Sequence, residues 1–162
     1  MTPANLRALR MRLGLGPKDA AELLGISVGQ VETMERAKFN NVFMIHFEEL
    51  ARIEEDMIDH IDTICESNPS VLIGYMSTED MLMFEPGLAP LRSNQVHRMA
   101  LAEAQVIMAG EINPPRQVDI VEIVPDRYGA FLHQHGLTDS PASREQWAIE
   151  RRSQFKIIPA GG

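Results

Sequence analysis

The longest patterned stretch of the chain lies between Asn41 and Asn68, where neither proline nor glycine interrupts the sequence. Apolar residues recur there at spacings of three and four, apart from one acidic gap at Glu54. This period is typical of an amphipathic α-helix that buries one face. We predict one helix over 42–67, about 39 Å long if unbroken. Its apolar stripe consists of Phe43, Phe47, Leu50, Met57, Ile61 and Ile64, widened by Ile53, Ile58 and Cys65.

The chain beyond this helix alternates between strand and helix patterns. Residues 71–75 and 117–124 are short apolar or alternating segments, which predict two strands. Serine, proline and glycine signals mark the ends of several helices in the same region. The helices are predicted over 79–84, 91–109, 125–135 and from 141 to about 155.

Three short helices are predicted in the first forty residues. The first ends near Gly14, the second begins at Gly16-Pro17 and ends at Gly25, and Ser27 caps the third. The predicted fold class is therefore α+β, mainly α. Its parts are an N-terminal helical domain (1–41), a connecting amphipathic helix (42–67) and a small C-terminal α+β domain (68–158).

The composition fits one globular domain or two small ones. The chain has 162 residues, of which 44% are hydrophobic and 23% charged. A single cysteine, Cys65, excludes an internal disulfide framework and a multi-cysteine zinc site. No apolar run reaches the roughly 18–20 residues of a membrane span, and the N-terminus lacks the pattern of a signal peptide. We expect a cytoplasmic protein.

The charge is unevenly distributed along the chain. The net charge of −8 argues against unspecific nucleic-acid binding. Residues 1–40 nevertheless carry six basic and four acidic side chains, whereas residues 41–70 carry one basic and eight acidic. The first forty residues are thus a mildly basic unit, and a strongly acidic block follows them.

The third helix has the features of a DNA-reading element. Val31 and Met34 form its inner face, and small Ala21 allows the second helix to cross it closely. A helix of this kind can lie in the major groove with its N-terminal residues toward the bases. Glutamine pairs with adenine, and threonine can contact a thymine methyl group. The expected base contacts are Val28, Gly29, Gln30, Thr33 and Arg36.

Residues 6–38 resemble the helix-turn-helix of the lambda-repressor/Cro-like family. The matching segments are L-R-A-L-R-M-R-L-G-L, D-A-A-E-L-L-G-I-S and V-G-Q-V-E-T-M-E-R-A-K. The resemblance implies a DNA-binding domain in which Arg10 and Glu35 form a structural ion pair. The family often has glutamine where Pro17 stands, so the phosphate contact is expected either to be lost or to pass to Lys18. Further expected contacts to the DNA backbone are Ser27, Lys38, Asn40 and Asn41.

A looser resemblance extends through L-I-G-Y, S-T-E-D-M-L-M-F and L-R-S-N-Q-V-H-R-M-A-L-A-E-A. It is to anti-CRISPR-associated autorepressors and their bacterial relatives, in which a dimerisation domain follows the helix-turn-helix. It implies a homodimer that binds a palindromic operator in double-stranded DNA, an inverted repeat in its own promoter. Binding of RNA stays open. The apolar stripe is interpreted as core or dimer seam, and the residues assigned to dimerisation are Phe47, Leu50, Met57, Ile61, Ile73 and Tyr75.

Other chemistry finds little support in the sequence. His133 and His135 are two residues apart, so on a helix they point in different directions, and no metal site is predicted. There is no nucleophile–base arrangement, phosphate-binding loop or carboxylate pair, so we predict neither an enzyme nor a cofactor. The alternative function is an antitoxin-like protein-binding module, in which the 42–67 helix and the C-terminal domain mask a toxin and DNA binding is secondary.

Overall fold

The computed structural model describes residues 3–36, 41–110 and 117–155. Within these ranges the chain is mainly helical with one small sheet, as the sequence predicts. One buried core extends from Leu6 in the first helix to Ala148 in the last. The elements are α1 (Pro3–Arg12), α2 (Pro17–Leu24), α3 (Val28–Arg36), α4 (Asn41–Ser67), β1 (Val71–Tyr75), α5 (Thr78–Phe84), a 3₁₀ helix (Pro86–Leu91), α6 (Asn94–Gly110), β2 (Asp119–Ile123), α7 (Pro125–His135) and α8 (Pro141–Phe155).

The long helix α4 forms as the apolar period predicts, over 27 residues without a break. Leu50, Ile53 and Met57 are buried on the face that packs against α6. Ile58 is exposed, so it lies outside the buried stripe that it was predicted to widen. None of the described helices combines the length and the apolar character that crossing a membrane requires.

The sheet consists of β1 and β2, which pair in parallel. Val71 lies opposite Asp119, and Tyr75 lies opposite Ile123. Parallel strands need a long crossover, which α5, the 3₁₀ helix and α6 supply here. The second strand is shorter than the predicted segment 117–124, although Val118 just before it is also buried.

The predicted start of the sixth α-helix was wrong. The helix begins at Asn94 rather than at residue 91, because Arg92 has a left-handed backbone conformation (φ 58°) that interrupts the helical path after the 3₁₀ helix. Ser93 then accepts a hydrogen bond from the amide of Gln95 at 3.1 Å through its hydroxyl group. A serine before an apolar helical pattern is a start signal that the sequence carried.

The residues assigned to a dimer seam lie largely inside one chain. In this fold the side chains of Leu50, Met57, Ile61 and Tyr75 are at most 3% exposed, and their partners are other residues of the same core. A fully buried side chain offers no surface to a second copy. Only Phe47 and Ile73 of the assigned set are partly exposed, so these two are the assigned residues that a second copy could reach in this fold.

Two histidines meet in the core where α4 packs against α6. The rings of His60 and His97 are 5.3 Å apart. The Nε2 atom of His97 donates a hydrogen bond to the carbonyl of Ile73 at 2.9 Å. Burial, together with His97, lowers the pKa of His60 to about 4, although Glu85 acts in the opposite direction. Burial also lowers the pKa of His97. Both rings are therefore neutral at pH 7.

This pair predicts a loss of stability between pH 7 and pH 5. In the unfolded chain the imidazole of His60 returns to a pKa of 6.5. Below that pH the unfolded state therefore binds a proton that the folded state does not bind until the pH approaches about 4. The free energy of unfolding, measured by urea denaturation, should fall as the pH drops below 6.5. His60→Leu should show a smaller fall, and the exposed control His133→Leu should follow the parent. An equal fall in the free energy of unfolding in the parent and in His60→Leu would show that His60 is not the source of the pH dependence.

Candidate nucleic-acid interface

The second and third helices are joined by a tight turn of three residues. Gly25 adopts a left-handed conformation (φ 65°), and its amide donates to the carbonyls of Ala21 and Glu22. The amide of Ile26 donates to the carbonyl of Ala21 at 2.9 Å. This closure satisfies carbonyls at the end of α2 and lets Ser27 begin the next helix. The sequence predicted both the glycine stop and the serine start.

A reciprocal cap fixes the N-terminus of α3. The amide of Gln30 donates to the hydroxyl of Ser27 at 3.2 Å, and the amide of Ser27 donates to the side-chain oxygen of Gln30 at 2.8 Å. This is a capping box, which the spacing S-x-x-Q signals in the sequence. Sequence reasoning assigned Gln30 to base contact alone. The oxygen of Gln30 thus accepts one bond within the cap, and its second lone pair and the amide hydrogens are left for a base.

The inner face of α3 is fixed to the helices before it. Val31 and Met34 are buried among the residues of the core. Arg10 donates to both carboxylate oxygens of Glu35, at 2.6 and 3.2 Å, and to the carbonyl of Leu15 at 2.6 Å. Arg10 is only 7% exposed. The guanidinium group therefore joins α1 to the C-terminal part of α3 and to the loop that leads into α2.

The residues predicted to contact bases share the exposed side of α3. The hydroxyl of Thr33 donates to the carbonyl of Gly29 at 2.7 Å, and Arg36 lies 3.9 Å from Glu32. The Arg36 side chain is 80% exposed, so this pair leaves its guanidinium group accessible to solvent. The structure thus brings these side chains together on one surface: Val28, Gly29, Gln30, Thr33 and Arg36 are all exposed.

The structure describes three of the five residues that were predicted to contact the DNA backbone. Lys18 and Ser27 are exposed, at the starts of α2 and α3. Asn41 is the first residue of α4. Lys38 and Asn40 lie outside the described residues. Lys18 and Ser27 therefore stand at the positive ends of two helix dipoles, where backbone amides and a cation favour a phosphate.

A groove between α3 and α4 adds one residue that the sequence did not suggest. The cavity measures about 370 Å³, and Gly29, Gln30 and Thr33 line it together with His46 of α4. The Nδ1 atom of His46 is buried and has no hydrogen-bond partner among the residues that the structure describes. His46 is sixteen residues from Gln30 along the chain. No local pattern could have placed it there, because its position depends on how α4 crosses α3.

The electrostatic field of this surface is weak. Residues 3–36 carry five basic and four acidic side chains, and Glu35 and Glu32 neutralise Arg10 and Arg36 in part. Glu54 of α4 lies 3.0 Å from Arg12, which directs part of the acidic face toward α1. A single copy of this surface therefore offers few cations to phosphates.

No protein-family model matches this chain, and no curated protein is similar to it in sequence. Among the described residues, no three histidine, cysteine, aspartate or glutamate side chains are grouped as a metal site. The surface of α3 and the sequence motifs that form it are therefore the features of the molecule that bear on its function.

Proposed function

We propose that the protein is a sequence-specific DNA-binding transcriptional regulator that uses α3 as its recognition helix. The observation that carries this proposal is the construction of α3. The helix is capped by Ser27, seated by Val31 and Met34, and joined to α1 through Arg10, while its other side exposes the side chains of Val28, Gln30, Thr33 and Arg36 to solvent. A rigid exposed helix of this kind fits the major groove of B-DNA.

The proposed regulator acts as a homodimer on an inverted repeat, and as an autorepressor when that repeat lies in its own promoter. Two copies would place their recognition helices about 34 Å apart, one turn of DNA. The weak positive charge of one copy supports this arrangement, since two copies double the phosphate contacts. Sedimentation equilibrium should detect dimers at micromolar concentration or on DNA. A monomer under both conditions would contradict the dimeric arrangement.

The proposal is tested first by fluorescence anisotropy. The purified protein is titrated onto a duplex from just upstream of its reading frame and onto a scrambled duplex of the same composition. We expect nanomolar binding, a preference of about 10³-fold for the native sequence, and a steep decrease with salt. Equal and weak binding to both duplexes would argue against autorepression, and selection from a random duplex library would then decide whether any sequence is preferred.

Thr33→Ala should weaken binding to the preferred duplex by about 1–3 kcal/mol and relax its base preference. The reason is the loss of a hydroxyl and methyl group from the exposed side of α3. Thr63→Ala is a matched control, because Thr63 on α4 makes the same kind of bond to a carbonyl four residues earlier, at 2.9 Å. Unchanged affinity and base preference in Thr33→Ala would exclude Thr33 from the interface.

Gln30→Glu separates the two roles of this side chain. Glutamate can complete the capping box with Ser27, so the melting temperature should stay within a few degrees of the parent. The amide donor is lost and a negative charge is placed beside phosphates, so affinity for the preferred duplex should fall at least tenfold. Retained affinity would show that Gln30 serves only as a cap.

A further inference from the structure

A second groove lies at the other end of the chain, between α7 and α8. The cavity measures about 320 Å³, in the size range of small-molecule sites. Three of its lining residues, Arg127, Phe131 and His135, follow one face of α7 at intervals of four. Trp147 and Arg151 line it from α8, also four residues apart. Two guanidinium groups, one from each helix, and three aromatic rings, those of Phe131, His135 and Trp147, therefore line one space.

The aromatic walls of the groove are held in fixed positions. Trp147 packs edge-to-face on the ring of Tyr128, with centroids 5.8 Å apart, and the hydroxyl of Tyr128 donates to Asp139 at 2.8 Å. The ring of His135 lies 4.5 Å from that of Phe131. The guanidinium group of Arg151 lies 5.7 Å from the centre of the Trp147 ring. Such support reduces the entropy that a ligand must overcome on binding.

The charge of the groove differs from that of the chain as a whole. The lining contains Arg127, Arg151 and one carboxylate, Glu150, so its formal charge is +1 in a chain of −8. Arg127 is exposed and forms no ion pair with any residue that the structure describes, whereas Arg10, Arg36 and Arg98 each pair with a carboxylate. A cavity with a positive charge attracts anions more strongly than a flat surface does.

The dimensions of the groove limit the shape of a ligand. Arg127 and His135 are eight residues apart, about 12 Å along α7. A ligand that reaches both must be elongated, with an anionic group at one end. The other end meets the rings of Phe131 and His135 and the exposed amide of Gln134, which suit a heteroaromatic ring with polar edges.

We propose that the groove between α7 and α8 is a binding site for a small aromatic anion of the size of a nucleoside monophosphate. The guanidinium groups of Arg127 and Arg151 bind the anionic group, and the ring lies toward Phe131 and His135. The lining residues of this site belong to α7 and α8, not to α3. The site therefore does not depend on the proposed DNA binding.

The test uses the intrinsic fluorescence of Trp147, the only tryptophan of the chain. The full-length protein is titrated with AMP, and with adenosine and inorganic phosphate as the two halves of that probe. We expect a saturable change in emission with AMP, and at least tenfold weaker binding of adenosine or phosphate alone. Arg127→Gln should weaken AMP binding at least tenfold, because a charge-assisted contact is lost. Arg52→Gln, an exposed arginine on α4, should bind AMP as the parent does.

Three results would overturn the proposal. The first is no saturable change at millimolar AMP, with no rise in melting temperature. The second is adenosine binding as tightly as AMP, which would exclude the arginines. The third is parental affinity in Arg127→Gln. Arg151→Gln provides the same comparison if Arg127→Gln does not fold, since it removes the guanidinium group of the other helix.

Discussion

Arg10→Met is expected to lower the free energy of unfolding by about 3–5 kcal/mol. Arg10 is 7% exposed, and its guanidinium group supplies two bonds to the carboxylate of Glu35, whose side chain is 11% exposed. Without Arg10 that carboxylate stays largely buried and has lost the charge opposite it. The carbonyl of Leu15 loses a donor as well. For a chain of this size the melting temperature should fall by about 6–20 °C.

Two variants sharpen this experiment. Arg36→Met removes a guanidinium group from a pair that is 3.9 Å apart and mostly exposed, so it should cost less than about 1 kcal/mol. Arg10→Met combined with Glu35→Met should recover part of the loss, because replacing both partners of a buried pair by apolar groups removes the unpaired charge. Urea denaturation measures the free energy of unfolding of the parent and of each variant. A loss in Arg10→Met no larger than in Arg36→Met would contradict the role of the pair.

Local patterns predicted most of the helices and both strands. The apolar spacing of three and four predicts α4, Asn68-Pro69 ends it, and the apolar run after this pair predicts β1. Both elements form where the sequence places them. The parallel pairing of β1 with β2 could not be predicted, because it depends on a crossover of more than forty residues. An apolar stripe shows that a face is buried, but not whether its partner is the same chain or a second copy. The buried positions of Leu50 and Met57 illustrate this limit.

Some features of the candidate interface could likewise be predicted from local sequence signals, and others could not. The exposed side of α3 follows from short-range signals, since Ser27, Val31 and Met34 lie within eight residues and fix which side faces solvent. The S-x-x-Q spacing also indicates the cap between Ser27 and Gln30, although the role predicted for Gln30 was base contact. The position of His46 in the groove could not be predicted from the sequence, because it depends on the angle between α3 and α4.

The position of α1 against α6 leads to a second large effect, at Gly14. This residue has a left-handed backbone conformation (φ 71°), and a Cβ atom added to it would lie 2.3 Å from Cγ of Met99. Alanine there costs about 1–2 kcal/mol for the backbone and about 1–3 kcal/mol for overpacking. Gly14→Ala should therefore lower the free energy of unfolding by about 2–5 kcal/mol, measured by urea denaturation.

Gly25 provides the matched control for this prediction. Its conformation is nearly the same (φ 65°), but a Cβ atom added there meets nothing within 4 Å. Gly25→Ala should thus show the backbone cost alone. Met99→Ala removes the obstructing Cγ, so Gly14→Ala should cost no more than Gly25→Ala when it is introduced into a Met99→Ala background. Equal losses for Gly14→Ala and Gly25→Ala in the parent would mean that α1 and α6 do not meet at Gly14.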